Sequence, residues 1–102
     1  MVFEIKWTER SVISYGKNIE YLRTRWSEKV VEKFENGVKR RLQALESHPY
    51  LGRPRSQNSI HIRRTIINKR ILLIYQVKPN KRRIDLLVFW NTYLNPKKLK
   101  LK

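Results

Sequence analysis

The sequence has no cysteine, which excludes a disulfide framework, a thiolate metal site and a thiol nucleophile. Histidine is nearly as scarce. His48 and His61 are the only two, and they lack the spacing of a zinc site. No apolar run approaches the roughly 18–20 residues of a membrane helix. The first six residues alternate like a strand and lack the apolar stretch of a signal peptide. A cytoplasmic protein with no membrane partner is therefore expected. Glycine and proline number only three and four, and no internal repeat or low-complexity tract stands out.

Acidic residues are also few. Eight Asp and Glu face 24 Lys and Arg, a formal net charge of +16. Such an excess predicts polyanionic partners, either nucleic acid or an acidic protein. The 40% hydrophobic content supplies enough apolar material to fold. A length of 102 residues fits one domain over 1–102, ending in a basic tail over 96–102.

Phe3, Ile5 and Trp7 alternate with Glu4 and Lys6, the period of a half-buried strand. Thr8 is placed to cap a helix whose apolar stripe is Val12, Tyr15, Ile19, Leu22 and Trp26. Ser27 is the next cap, followed by the stripe Val31, Phe34, Val38, Leu42 and Leu45. Two such helices joined at Trp26-Ser27 fold back as a hairpin. Trp7, Tyr15, Tyr21 and Trp26 belong by their period to the core between helices and sheet.

Residues 49–59 read as a loop. Three strands follow over 60–67, 70–77 and 82–90. Turns are expected at Asn68-Lys69, where Asn tolerates positive φ, and at Lys78–Lys81. The order is β-α-α-β-β-β, an α+β fold with a helical hairpin on a small antiparallel sheet.

The strand over 70–77 is apolar on both sides. So is that over 82–90, with Ile84, Leu86 and Val88 set against Leu87 and Phe89. One helical hairpin covers one face of a sheet. The other face needs the Leu99–Leu101 tail or another molecule.

This order, with its punctuating residues, resembles the RelE/ParE superfamily of toxins from bacterial type II toxin–antitoxin modules. The residues that carry the resemblance run through nearly the whole chain. They are Phe3–Thr8, Tyr21-Leu22, Trp26–Val30, Pro49 with Gly52-Arg53, Ile62–Arg64, Leu73–Val77, Phe89–Asn91 and Asn95–Leu99. The resemblance implies a fold without metal or cofactor. It also implies an acidic antitoxin that wraps the toxin in a hetero-oligomer. One branch of the family cuts mRNA on the ribosome, and another blocks DNA gyrase and lacks the nuclease residues.

Metal-free RNA cleavage needs proton transfer at the 2′-hydroxyl and leaving oxygen, and charge stabilisation at phosphorus. Carried over from the resemblance, Arg63, Arg64 and Tyr93 are the candidate catalytic residues. Arg53, Arg55, Arg70, Lys97 and Lys98 are candidate nucleic-acid contacts. Arg63 and Arg64 point to opposite faces of their strand, so only one can serve a given face. Tyr93 stands where close relatives carry Arg, and Leu72 where ribosome-dependent nucleases place Arg. The same residues have plainer readings: solvated strand arginines, a packed tyrosine ring and a solvated tail. His61 reads more readily as a hydrogen-bonded strand histidine than as a catalyst, and Glu4 and Asp85 as ion-paired. Outside the family, the alternative is a small basic nucleic-acid-binding module without toxicity.

Overall fold

A computed structural model of the chain describes residues 2–94. The tail, including Lys97, Lys98 and the Leu99–Leu101 segment, lies outside the described residues. The elements are β1 (Glu4–Trp7), α1 (Glu9–Arg25), α2 (Glu28–Ser47), β2 (Arg53–Pro54), β3 (Ile62–Asn68), β4 (Ile71–Lys78) and β5 (Arg83–Asn91). One 3-10 turn, Pro79–Lys81, joins β4 to β5. No described helix is long and apolar enough to cross a membrane.

Both expected caps form. The Thr8 hydroxyl accepts from the Ser11 amide at 3.2 Å, and the Ser27 hydroxyl from the Val30 amide at 3.3 Å. An Arg23–Glu28 ion pair straddles the helical junction. The strands form one sheet in the order β1-β5-β4-β3-β2. The pairings from β2 to β5 are antiparallel, while β1 joins β5 in parallel at the edge.

The hairpin covers one face of this sheet. Ile71, Leu73, Tyr75 and Val77 of β4 and Ile84, Leu86 and Phe89 of β5 meet Leu22, Val31, Phe34, Val38 and Leu45. The opposite face carries Arg64, Ile66, Leu72, Ile74, Val88 and Trp90, as the pairing register requires.

Four sequence expectations need correction. Phe89, not Val88, shares the covered face with Ile84 and Leu86. The register slips between Ile74↔Val88 and Tyr75↔Leu86, leaving Leu87 as the extra residue of a β-bulge, which reverses the alternation beyond it. The β3–β4 turn falls on Lys69-Arg70, since Asn68 still pairs with Ile71. Asn68 has no positive φ; its side chain instead accepts from the Lys69 amide at 2.6 Å. Within the expected loop, Arg53–Pro54 forms a two-residue strand against Arg63 and Arg64. Trp26 is 63% exposed rather than core, because it is the C-cap of α1 and lies past the end of the covered stripe.

Helix α1 also sits differently from its apolar stripe. Val12 is exposed, while Ser11 and Asn18 are buried with Leu22. The cause is the edge of β5. Strand β1 stops opposite Leu86, so the β5 backbone beyond it needs other partners. The Thr8 hydroxyl donates to the Leu86 carbonyl at 2.6 Å. The Ser14 hydroxyl accepts from the Phe89 amide at 2.9 Å, and the Asn18 amide donates to the Phe89 carbonyl at 3.0 Å. Polar side chains of a helix thus replace the missing strand.

Candidate functional site

The pairing of β2 with β3 decides what the arginines can do. Arg63 lies on the helix-facing side, opposite Tyr75. Its Nε donates to the Gly52 carbonyl and its Nη1 to the Ile60 carbonyl, both at 2.7 Å, and its guanidinium lies 5.1 Å from the Tyr50 ring centre. Beneath it, the buried Tyr75 hydroxyl accepts from the Gly52 amide and donates to the Pro49 carbonyl, both at 2.9 Å. Burial raises the Tyr75 phenol above its ordinary pKa, against the opposing pull of the Gly52 amide and Arg63. Gly52 is required here by close approach: a Cβ would lie 2.5 Å from the Arg64 carbonyl oxygen. Pro49, Gly52, Arg63 and Tyr75 are therefore one hydrogen-bonded fastening for the loop.

That fastening sets Arg53 directly opposite Arg64 on the other face. Both side chains are exposed, as is Arg55, whose backbone amide continues the pairing to the Ile62 carbonyl at 2.8 Å. His61 sits behind the loop with its Nδ1 3.0 Å from the Tyr50 hydroxyl. On the same face as Arg64, Asp85 is ion-paired with Lys78 and Arg83 at 3.0 and 2.8 Å. Burial alone would raise its carboxyl, but the hydrogen bonds and charges of those two cations outweigh burial and hold it below its ordinary value.

Tyr93 and Arg70 meet elsewhere. Residue Asn91 pairs with Ile71, four residues along β4 from Tyr75, a separation of about 13 Å. There the Arg70 guanidinium lies 4.7 Å from the Tyr93 ring centre, and Tyr93 stacks on Tyr21 at 6.4 Å. Asn91 aims this segment: its buried carboxamide oxygen accepts from the Tyr93 and Leu94 amides at 2.8 and 3.3 Å. The three candidate catalytic residues thus fall into three settings. Arg63 is committed to the loop, Arg64 is exposed on the face opposite the helices, and Tyr93 sits at the far end of the sheet on the helix side.

Around Tyr93 the structure forms a cavity of about 420 Å³ between the helical hairpin tip and the β3–β4 turn. Leu22, Phe34 and Ile71 lie at its buried floor. Tyr21, Trp26 and Tyr93 supply aromatic walls, and Lys33, Arg40, Lys69 and Arg70 supply cations. Only Arg70 and Tyr93 of these were singled out by sequence reasoning as functional. In the sequence, Lys33 and Arg40 belong to cations dispersed along the helical hairpin, which suit non-specific phosphate attraction, and the period of α1 assigns Trp26 to the core. The available signal was Trp26 beside the Ser27 cap, at a helix end where the covered stripe runs out.

Three solved structures share the architecture. They are a YoeB/ParE toxin from Agrobacterium tumefaciens (TM-score 0.63, 13% identity, 86% of this chain and 96% of that one), a chromosomal ParDE toxin–antitoxin system from P. aeruginosa (0.69, 13%, 88% and 96%) and a double mutant of the E. coli toxin RelE in the free state (0.64, 14%, 94% and 90%). At such identities they define the fold, that of the RelE/ParE toxins. The family model for the ParE toxin of the type II toxin–antitoxin system parDE matches residues 5–92, and the chain belongs to that family. Its general role is that of a type II toxin. No curated protein sequence matches it significantly.

Proposed function

We propose that this toxin arrests its target by binding and performs no chemistry of its own, that the target is DNA gyrase, and that an acidic antitoxin neutralises it in a hetero-oligomer. The observation that carries this reading is the separation of Arg63, Arg64 and Tyr93. Transfer of a proton and stabilisation of a phosphorane need groups within hydrogen-bond reach of one reacting centre. A tyrosine about 13 Å along the sheet from a loop-bound arginine does not meet that condition. The match to the ParE family model favours the same reading. The charge of +16 supports an acidic partner, since electrostatic complementarity speeds and orients association.

The competing reading, ribosome-dependent mRNA cleavage, draws on the exposed Arg53–Arg64 pair as a phosphate clamp. Two assays on the purified chain decide between them. The expected result is inhibition of gyrase supercoiling, relieved by the antitoxin, with intact message by primer extension in cell-free translation. Ribosome-dependent new ends within codons, with gyrase unaffected, would overturn it.

A further inference from the structure

The sheet is finished differently at its two sides. Edge strand β2 is two residues long and consists of Arg53 and Pro54, a composition that blocks further pairing. The stretch of β5 beyond β1 is sealed by Ser14 and Asn18 of α1. Strand β1 has neither device. Its Glu4, Lys6 and Trp7 are exposed, and no proline or bulge interrupts it. Its pairing with β5 uses alternate residues only. The amides of Glu4 and Thr8 donate to the Arg82 and Leu86 carbonyls at 2.9 and 3.4 Å, so Ile5 and Trp7 turn their amides away from β5. Phe3 turns the same way, and its amide donates to the Glu46 carbonyl at 2.9 Å. An open strand edge is a template for pairing with another chain.

The order of side chains along β1 selects that chain. Phe3 and Ile5 pack against the core and Trp7 against Tyr15 and Phe89, all on the helix side. Glu4 and Lys6 lie on the other face, beside Arg83 and Asp85. About Ile5 the run is its own complement: aromatic, acid, isoleucine, base, aromatic. Neither Glu4 nor Lys6 takes part in an ion pair among the described residues, and Arg83 is already held by Asp85. We propose that β1 pairs antiparallel with β1 of a second copy of this chain, with Ile5 on the two-fold axis. In that register the two Ile5 residues exchange amide–carbonyl bonds, and each Trp7 amide meets the Phe3 carbonyl of the other copy. Glu4 stands opposite Lys6 on one face and Phe3 opposite Trp7 on the other. A two-fold contact uses one patch twice, so it requires a self-complementary patch, which this run supplies. The contact is small and belongs to the weak, concentration-dependent class. It stands independently of the gyrase reading.

Sedimentation equilibrium of the full chain at rising concentration tests this. Each copy carries +16, so long-range repulsion opposes their meeting and added salt screens it. Self-association should therefore tighten as ionic strength rises from about 0.05 to about 0.5 M. Binding to nucleic acid or to an acidic protein responds in the opposite sense. Ile5→Pro removes an amide that β5 does not use, so it should abolish the dimer while thermal melts show a folded chain. Glu4→Lys and Lys6→Glu each set like charges opposite one another, and each should weaken self-association about ten-fold. Lys6→Glu also lowers the net charge, so relief of overall repulsion alone would tighten it instead. Mixed one to one, these two variants regain opposite charges across the pairing and should associate as tightly as the parent. A parent chain that is monomeric at every concentration and salt, a dimer that salt weakens, a dimer unaltered by Ile5→Pro, or a mixture no tighter than its components would each overturn the proposal.

Discussion

At the scale of single residues, neighbours in sequence take unrelated roles. Arg63 holds the loop through two carbonyls, whereas Arg64, one residue on, faces solvent beside Arg53. Arg63→Ala should therefore lower stability by about 1–3 kcal/mol, the cost of stranding the carbonyl of the buried Gly52. Arg64→Ala should stay within about 0.5 kcal/mol of the parent, as surface substitutions do. Urea denaturation of both variants measures the difference, and equal losses would contradict the assignment. Gly52→Ala drives a methyl into the Arg64 carbonyl and Tyr75 hydroxyl. It should behave like Arg63→Ala and cost about 1–3 kcal/mol. Sequence reading placed Pro49, Gly52, Arg63 and Tyr75 correctly in chain order but did not join them. Their connection depends on the loop returning to β3, which no local period encodes.

Acid and alkaline limits also belong to named residues. Asp85 is held below its ordinary value by Arg83 and Lys78 once their effect exceeds that of burial. A carboxyl with a depressed folded pKa contributes stability that is present above the ordinary carboxylate range and lost as pH falls through it. Asp85→Asn should flatten the acid limb of a melting-temperature profile below about pH 4. Tyr75 and Tyr15 are raised, mainly by burial. Their contribution is complete below about pH 10 and is lost as pH rises further. Tyr15→Phe should extend the alkaline limb, and an unchanged limb would remove that residue from the account.

Among elements, helices and strands were legible because their signals are local. The caps Thr8 and Ser27, the α2 stripe and the three long strands follow from spacing alone. The bulge at Leu87 was not legible, because it is decided by pairing with β4 across the sheet. Nor was the rotation of α1. Its apolar stripe argued for Val12 facing inward, yet the open backbone of β5 draws Ser14 and Asn18 instead. Asn18→Ala leaves the Phe89 carbonyl buried without that donor, and should cost about 1–3 kcal/mol. Hydrogen exchange provides a local check: Ser14→Ala should speed exchange at the Phe89 amide more than at the β3–β4 pairing. Uniform acceleration along the sheet would show that the contact is not local.

For the whole molecule, charge is the governing quantity. A chain carrying +16 repels itself when folded, and added salt screens that repulsion. The melting temperature of the free chain should rise between low and physiological ionic strength. The gain should shrink once an acidic antitoxin is bound, because the partner then supplies the countercharge. A flat salt response of the free chain would show that its charges are too dispersed to matter. The candidate cavity also belongs to this scale. Its walls come from α1, α2, the β3–β4 turn and the segment after β5, so only the assembled chain brings Trp26 to Tyr93.

The polar seam between α1 and β5 also governs how errors are tolerated. Apolar faces can slide by a fraction of a residue and lose little. Thr8, Ser14 and Asn18 instead meet individual backbone atoms of Leu86 and Phe89, so the helix has a discrete address on the sheet. A one-residue insertion between Thr8 and Ser14 would miss the Ser14 and Asn18 contacts together rather than weaken each a little. In this fold, length within α1 is consequently less negotiable than hydrophobicity.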